Sequence, residues 1–106
     1  MEQFNGWYEA PFPFGKTDFS LVVITCSGDG EFTGTGQDKQ GEFTVKGKID
    51  GSKVSFVKDY KDGSHTNVQY EGTVDNDHID GQYYYLYKTF LVNMKVQEKF
   101  YMKLTE

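Results

Sequence analysis

The sequence predicts an all-β domain, an antiparallel up-and-down meander of about eight strands that forms a closed or nearly closed barrel. Runs of alternating apolar and polar residues fill most of the 106-residue chain, and short turn sequences separate them. Aromatic residues make up 17% of the chain and glycine occurs 12 times, whereas alanine occurs only at Ala10. This composition favours strands joined by tight turns over helices.

The turn sequences set the strand boundaries, because Gly, Asp, Asn and Ser cluster between the alternating runs. These clusters are Ser27–Gly30, Asp38–Gly41, Asp50–Ser52, Asp62–Ser64 and Asp75–Asp77. The predicted strands are Phe4–Ala10, Thr17–Cys26, Glu31–Gln37, Glu42–Asp50, Lys53–Tyr60, Asn67–Val74, His78–Tyr87 and Lys99–Leu104. The stretch Thr89–Val96 either extends a neighbouring strand or forms a long loop. The stretch Ala10–Gly15 contains two prolines and cannot be a central strand.

Pairing across the two tight turns that flank the fourth strand predicts which side chains meet inside the barrel. It places Gly36 opposite Phe43 and Gly47 opposite Phe56. Cross-strand partners lie about 4.5–5.5 Å apart, so a glycine facing a large ring is a packing solution. We interpret these inward glycines as sites of curvature and aromatic packing rather than as room for a ligand.

Composition limits the number of domains, the partners and the compartment. A chain of 106 residues supports one domain, spanning 1–106, and is too short for two. The net charge of −5 makes nucleic acid and anionic membranes poor partners. The single cysteine, Cys26, cannot form an internal disulfide, and no basic, apolar leader begins the sequence, so we expect a cytoplasmic protein.

The sequence contains no complete catalytic or metal-binding motif. Asp75–Gly81 resembles a calcium loop, but its third carboxylate and its glycine come one position late and Leu86 occupies the place of the final glutamate. His65 and His78 both fall in turns without the spacing of metal ligands. We therefore predict no enzyme activity, no metal and no cofactor.

Lys58 is the most informative residue, because the alternation places its side chain inside the barrel. A buried ammonium group needs a partner, for which Asp38, Glu98, a tyrosine hydroxyl or water would serve. Two interpretations stay open at this point. Lys58 anchors an anionic ligand in a cavity, or it forms an internal salt bridge or extends to the barrel mouth. The ligand-binding hypothesis groups these inward residues: Lys58, Tyr60, Tyr70, Tyr83 and Tyr85.

Apolar residues on the outer face are concentrated on the second strand and near the end of the meander. The hypothetical interface consists of Val22, Ile24, Cys26, Tyr84, Leu86 and Tyr101. A contiguous outer apolar surface is typical of a partner or dimer interface. Alternatively, Ala10–Gly15 or Thr89–Val96 folds back and covers this surface.

Two resemblances bear on the fold. The run Gly30–Thr35 (GEFTGT), with Asn5–Trp7 (NGW), resembles the opening hairpins of avidin-type barrels, and lipocalins also begin with a strand carrying Gly and Trp. Gly36 stands where avidins place a biotin-contacting tyrosine, and no tryptophan follows Trp7, so the resemblance implies a calycin-like fold and not biotin binding. The spacing of residues 36–81 is similar to an uncharacterised small β domain of multidomain proteins, which implies a binding or structural module.

The sequence thus predicts a non-catalytic interaction module, acting as a homo-oligomer or as a subunit of an assembly through its apolar outer face. The alternative is a calycin-like carrier that binds a small hydrophobic or anionic ligand around Lys58. The volume of the interior separates the two, because a carrier needs a pocket of about 300 Å³ or more. Eight strands enclose a space that side chains can fill completely.

Overall fold

The computed structural model describes residues 2–10, 13, 15–88 and 90–105, and these residues form eight antiparallel strands without a helix. The strands are β1 (Glu2–Glu9), β2 (Lys16–Cys26), β3 (Glu31–Asp38), β4 (Gly41–Asp50), β5 (Lys53–Tyr60), β6 (Val68–Asp75), β7 (His78–Lys88) and β8 (Asn93–Leu104). Each strand pairs with its neighbours in sequence, and β1 pairs with β8, so the sheet closes into a barrel. The predicted antiparallel all-β barrel is confirmed.

The two ends of the barrel differ in their connections. We call the end that carries the β1–β2, β3–β4, β5–β6 and β7–β8 connections the upper end. The lower end carries the other three connections, of which the β4–β5 and β6–β7 turns have only two residues each. No helix in the described part of the chain is long and apolar enough to span a membrane.

The predicted register across β4 is confirmed. Gly36 pairs with Phe43, and Gly47 pairs with both Phe32 and Phe56. A Cβ atom added at Gly36 would lie 2.2 Å from the carbonyl oxygen of Ser20 and 2.5 Å from Cζ of Phe43, so the neighbouring backbone and the ring together occupy the space that any other residue would need. Gly36 therefore makes room for the Phe43 ring, and Gly47 allows the backbone of β5 and the Cβ atom of Phe56 to approach closely.

The interior is a continuous aromatic and aliphatic core. Its buried residues are Phe4, Tyr8, Phe19, Leu21, Phe32, Phe43, Val45, Val54, Phe56, Tyr60, Val68, Tyr70, Ile79, Tyr83, Phe100 and Met102. The rings contact one another across the barrel, as shown by Phe56, which stacks on Tyr70 with centroids 4.7 Å apart and meets Phe100 edge-on at 6.1 Å. Such contacts stabilise the core beyond the burial of their area.

A β-bulge in β2 changes the alternation that the sequence predicts. The register with β3 shifts between Val23 and Thr25, so that Thr25 lies opposite Thr33 and Cys26 opposite Phe32. Since Phe32 faces the core, Cys26 is turned to the inner side of the lower rim. The expectation that Val22 and Cys26 share one outer face is therefore wrong, because the bulge inserts one residue between them.

The β7–β8 hairpin extends past the rest of the sheet at the upper end. The last residue of β7 that pairs with β6 is Tyr84. Beyond it, the pairs from Tyr85–Val96 to Lys88–Asn93 join β7 to β8 alone. We call residues 85–96, without position 89, the ribbon. The ambiguous stretch Thr89–Val96 thus extends β8 from Asn93 onward, whereas Thr89 lies outside the described residues.

Candidate functional site

Lys58 forms an ion pair inside the upper half of the barrel. The register of β5 turns its side chain inward, and only 3% of it is exposed. Its Nζ lies 3.0 Å from Oδ2 of Asp38, whose side chain is fully buried. Asp38 is the last residue of β3, so it reaches over the upper layer of the core. The structure therefore contains the internal salt bridge that was one of the two interpretations of Lys58.

The Asp38 carboxylate has partners on both of its oxygens. Oδ2 accepts hydrogen bonds from the hydroxyl groups of Tyr60 and, at 3.3 Å, Tyr8. Oδ1 accepts one from the backbone N–H of Gln40 at 2.8 Å. These bonds replace the water that the carboxylate loses on burial.

Aromatic rings enclose the ammonium group of Lys58. Nζ lies 4.3 Å from the ring centroid of Phe43 and 4.7 Å from those of Tyr8 and Tyr60. It also donates a hydrogen bond to the Tyr70 hydroxyl at 3.4 Å. Ring faces attract a desolvated cation, so this cage and Asp38 together hold the charge inside the barrel.

Burial shifts the titration of the groups in this site. Removal from water lowers the pKa of Lys58 to about 8, even though the Asp38 carboxylate acts in the opposite direction. Burial raises the pKa of Tyr60 well above its ordinary value, and the hydrogen bond to Asp38 adds to the increase. Burial likewise raises the pKa values of Tyr70 and Tyr83. The tyrosines therefore act as neutral hydrogen-bond donors and ring surfaces near neutral pH.

The five residues of the ligand-binding hypothesis all line one cavity at the upper end. Its lining consists of Tyr8, Ala10, Gln40, Lys58, Tyr60, His65, Val68, Tyr70, Tyr83 and Tyr85. The cavity measures about 60 Å³. This space admits a few waters at most. The alternation of inward and outward side chains along β1 could have identified Tyr8. Gln40 and His65 lie in connections between strands, where alternation does not predict the direction of a side chain.

The six residues of the hypothetical interface do not form one surface. Ile24 and Cys26 are exposed where β2 ends, at the lower end of the barrel. Leu86 lies in the ribbon, at the upper end. Tyr101 stacks on Trp7 of β1 with centroids 5.9 Å apart, on the outer wall between the two ends. Val22 is half-buried on the wall and Tyr84 at the base of the ribbon.

The ribbon exposes the largest concentration of apolar side chains. Phe90 is 100% exposed, Leu91 84% and Leu86 69%, and about half of Tyr87 and of Met94 is exposed. Of these residues, the sequence singled out Leu86 alone, because the alternation fails in the stretch that follows it.

The ribbon also differs in charge from the rest of the chain. Residues 84–97 include two lysines, at positions 88 and 95, and no carboxylate, whereas the whole chain has a net charge of −5. Nζ of Lys95 lies 4.6 Å from the Tyr84 ring centroid, so this charge is held against the base of the ribbon. The ribbon is therefore a basic, apolar projection from an acidic barrel.

The described residues contain no group of three or more His, Cys, Asp or Glu side chains that could hold a metal ion. His78, the first residue of β7, lies 3.6 Å from Asp77 and 3.9 Å from Asp75 through different ring nitrogens. Its ring also stacks on Tyr101. These contacts place the His78 side chain on the surface, beside the β6–β7 turn.

No family model, no curated protein and no solved structure matches the chain. The calycin resemblance therefore remains an expectation drawn from the sequence, and function has to be argued from the geometry of the barrel itself.

Proposed function

We propose that this chain is a non-catalytic interaction module that binds a protein partner through the ribbon, and that the partner is a second copy of the chain. The exposed side chains of Phe90, Leu91 and Leu86 carry the proposal. Scattered surface hydrophobics are common, but a continuous apolar projection is typical of a contact site.

The backbone of the ribbon supports the same proposal. In the body of the barrel every strand has a neighbour on both sides. Within the described residues, Tyr85–Lys88 and Asn93–Val96 have a neighbour on one side only. Their outer edges present backbone N–H and C=O groups to which another strand can add. A two-stranded ribbon is only marginally stable alone, so a partner would stabilise it.

Charge favours a second copy over an anionic membrane or nucleic acid. The ribbon is basic, and the barrel from which it projects is acidic. The ribbon of one copy therefore meets a surface of opposite charge on another copy, while nucleic acid would be repelled by the barrel.

The small volume of the cavity beside Lys58 supports an interaction module over a carrier built around Lys58. Lys58 is already neutralised by Asp38, and the cavity beside it is about 60 Å³. Pockets that enclose small-molecule ligands usually measure about 300–1,000 Å³. An anionic ligand would have to displace Asp38 from Lys58 and also make its own space.

The experiment compares the masses of the wild-type chain and of the double variant Phe90→Ser/Leu91→Ser by native mass spectrometry and light scattering over a range of concentrations. We expect the wild type to dimerise or form a larger closed oligomer, and the double variant to remain monomeric with unchanged thermal stability. Val57→Ser, on the outer wall of β5, is the matched control and should associate like the wild type. A wild type that stays monomeric, or a double variant that associates equally well, contradicts the proposal.

A further inference from the structure

A second cavity opens at the lower end of the barrel, opposite to Lys58. It measures about 280 Å³. Its lining residues are Glu2, Phe4, Leu21, Val23, Ile24, Thr25, Cys26, Phe32, Ile49, Val54, Ile79 and Met102. We call it the lower pocket.

The lower pocket is apolar at its base and polar only at its rim. Leu21, Val54, Ile79 and Met102 are core residues with at most 4% of their surface exposed. Glu2 is the one charged residue among the lining residues that the structure describes. A charged ligand would gain no counter-ion at the base of this pocket, and a carboxylate would be repelled by Glu2.

The strands surround the lower pocket, so its base lies within the barrel wall instead of on an outer face. Its lining comes from seven of the eight strands. The connections at the lower end are short, with two residues at Gly51–Ser52 and at Asn76–Asp77. Among the described residues these connections do not line the pocket.

We infer that the lower pocket binds a small, neutral, largely apolar molecule, such as an aromatic amine or an alcohol with a medium-length alkyl chain. An enclosed apolar cavity of about 150 Å³ is sufficient to bind benzene, and the lower pocket, which opens to solvent at the rim, offers about 280 Å³ to a molecule of this kind. The polar end of this molecule lies at the rim beside Thr25 and Cys26. This ligand site lies at the lower end of the barrel, whereas Lys58 and the tyrosines around it line the cavity at the upper end. The site does not involve the ribbon.

The bulge in β2 builds one side of this pocket. Without the extra residue between Val23 and Thr25, Cys26 would share the outer face with Val22. Because the bulge adds this residue, Val23 and Cys26 both line the pocket. Ile24, which is 50% exposed, extends the rim. Bulges commonly re-aim side chains in this way beside binding sites.

The test is a fluorescence titration with N-phenyl-1-naphthylamine, a neutral probe that becomes bright in apolar surroundings. We expect saturable binding to the wild type, and competition by 1-decanol but not by decanoate. Val23→Phe fills the pocket and should weaken probe binding by about tenfold or more, equivalent to about 1.4 kcal/mol. Val22→Phe makes the same change on the outer wall one residue earlier and should bind like the wild type.

Chemical modification gives a second test that does not depend on the folding of a variant. Cys26 is the only cysteine of the chain and is exposed at the rim. Alkylation of the folded wild type with N-cyclohexylmaleimide should place its ring over the pocket and abolish probe binding. The same reagent should leave binding to Cys26→Ser unchanged. The inference is overturned if the wild type gives no saturable signal, if Val23→Phe titrates like the wild type, or if the alkylated protein still binds the probe.

Discussion

Nζ of Lys58 lies 3.0 Å from Oδ2 of Asp38, and water has almost no access to either side chain. Two opposite charges in such a place attract each other strongly, but each has lost its hydration. The lowered pKa of Lys58 shows that the loss of hydration outweighs the attraction for this group. The pair therefore links the end of β3 to β5 past the intervening β4, and contributes little to stability compared with an apolar pair of the same shape.

Replacing one member of this pair should be worse than replacing both. Lys58→Met leaves the buried Asp38 carboxylate without the N–H donor that even a neutral lysine amine supplies, and we expect the free energy of unfolding to fall by about 3 kcal/mol. The double variant Lys58→Met/Asp38→Asn removes both charges and keeps an acceptor for Tyr60. Urea unfolding should place its stability close to that of the wild type. A single variant as stable as the double variant would show that Asp38 needs no cation.

Stability should rise as the pH increases above about 8. The folded barrel releases the proton of Lys58 near pH 8, whereas the unfolded chain keeps it up to about 10.5. Between these values the unfolded state binds more protons, so the free energy of unfolding increases with pH. Urea titrations at a series of pH values measure this increase, which should be missing in Lys58→Met.

The same titrations should show a loss of stability above pH 10. Tyr60 and Tyr70 have raised pKa values in the folded barrel, so above their ordinary value of 10.0 they ionise first in the unfolded chain. The unfolded state then binds fewer protons, and the free energy of unfolding decreases. This decrease should persist in Lys58→Met, since that variant keeps both tyrosines.

Glycine at position 36 should be essential to the packing. Gly36→Ala would bring a Cβ atom within 2.5 Å of the Phe43 ring, and we expect a loss of about 1–3 kcal/mol in the free energy of unfolding. Gly28→Ala is the control, because nothing lies within 4 Å of the Cβ position at Gly28 in its turn. Equal stabilities of the two variants would mean that the barrel accommodates the methyl group by moving both Phe43 and the Ser20 carbonyl.

The ribbon should open more readily than the rest of its hairpin. Tyr85–Lys88 pair with β8 alone, whereas Ile79–Tyr83 pair with strands on both sides. Hydrogen exchange of a dilute, monomeric sample should therefore be faster at 85–88 than at 79–83. At concentrations where copies associate, exchange at 85–88 should slow. Exchange that stays fast on association would place the contact elsewhere on the barrel.

Much of the fold follows from alternation and turn chemistry. Gly36 and Phe43 meet as predicted because a tight turn between them leaves one register. Alternation also predicts the inward position of Lys58, and burial of its charge predicts a partner. Which partner it has could not be predicted, because alternation gives no distance between side chains two strands apart, and Asp38 reaches Lys58 from the end of β3 past the intervening β4.

Two features depend on geometry that alternation does not specify. The bulge at Val23–Thr25 has no sequence signal of its own, since both flanking residues suit a regular strand. The ribbon begins where the pairing of β7 with β6 stops, at Tyr84, and the length of a neighbouring strand is a tertiary property. The sequence therefore predicts the walls of the barrel better than its two ends, where both proposed binding surfaces lie.

The seam between β1 and β8 has a consequence for how the chain folds. All other strand pairs join segments that are consecutive in sequence, but this one joins the first segment to the last, and Thr105 N–H donates to the carbonyl of Gln3 at 2.8 Å. Closing so large a loop costs the most chain entropy, so we expect the seam to form late and to limit the rate of folding. A circularly permuted chain, with its ends joined and a new opening at Asp62–Gly63, should reach the same barrel through a different slow step.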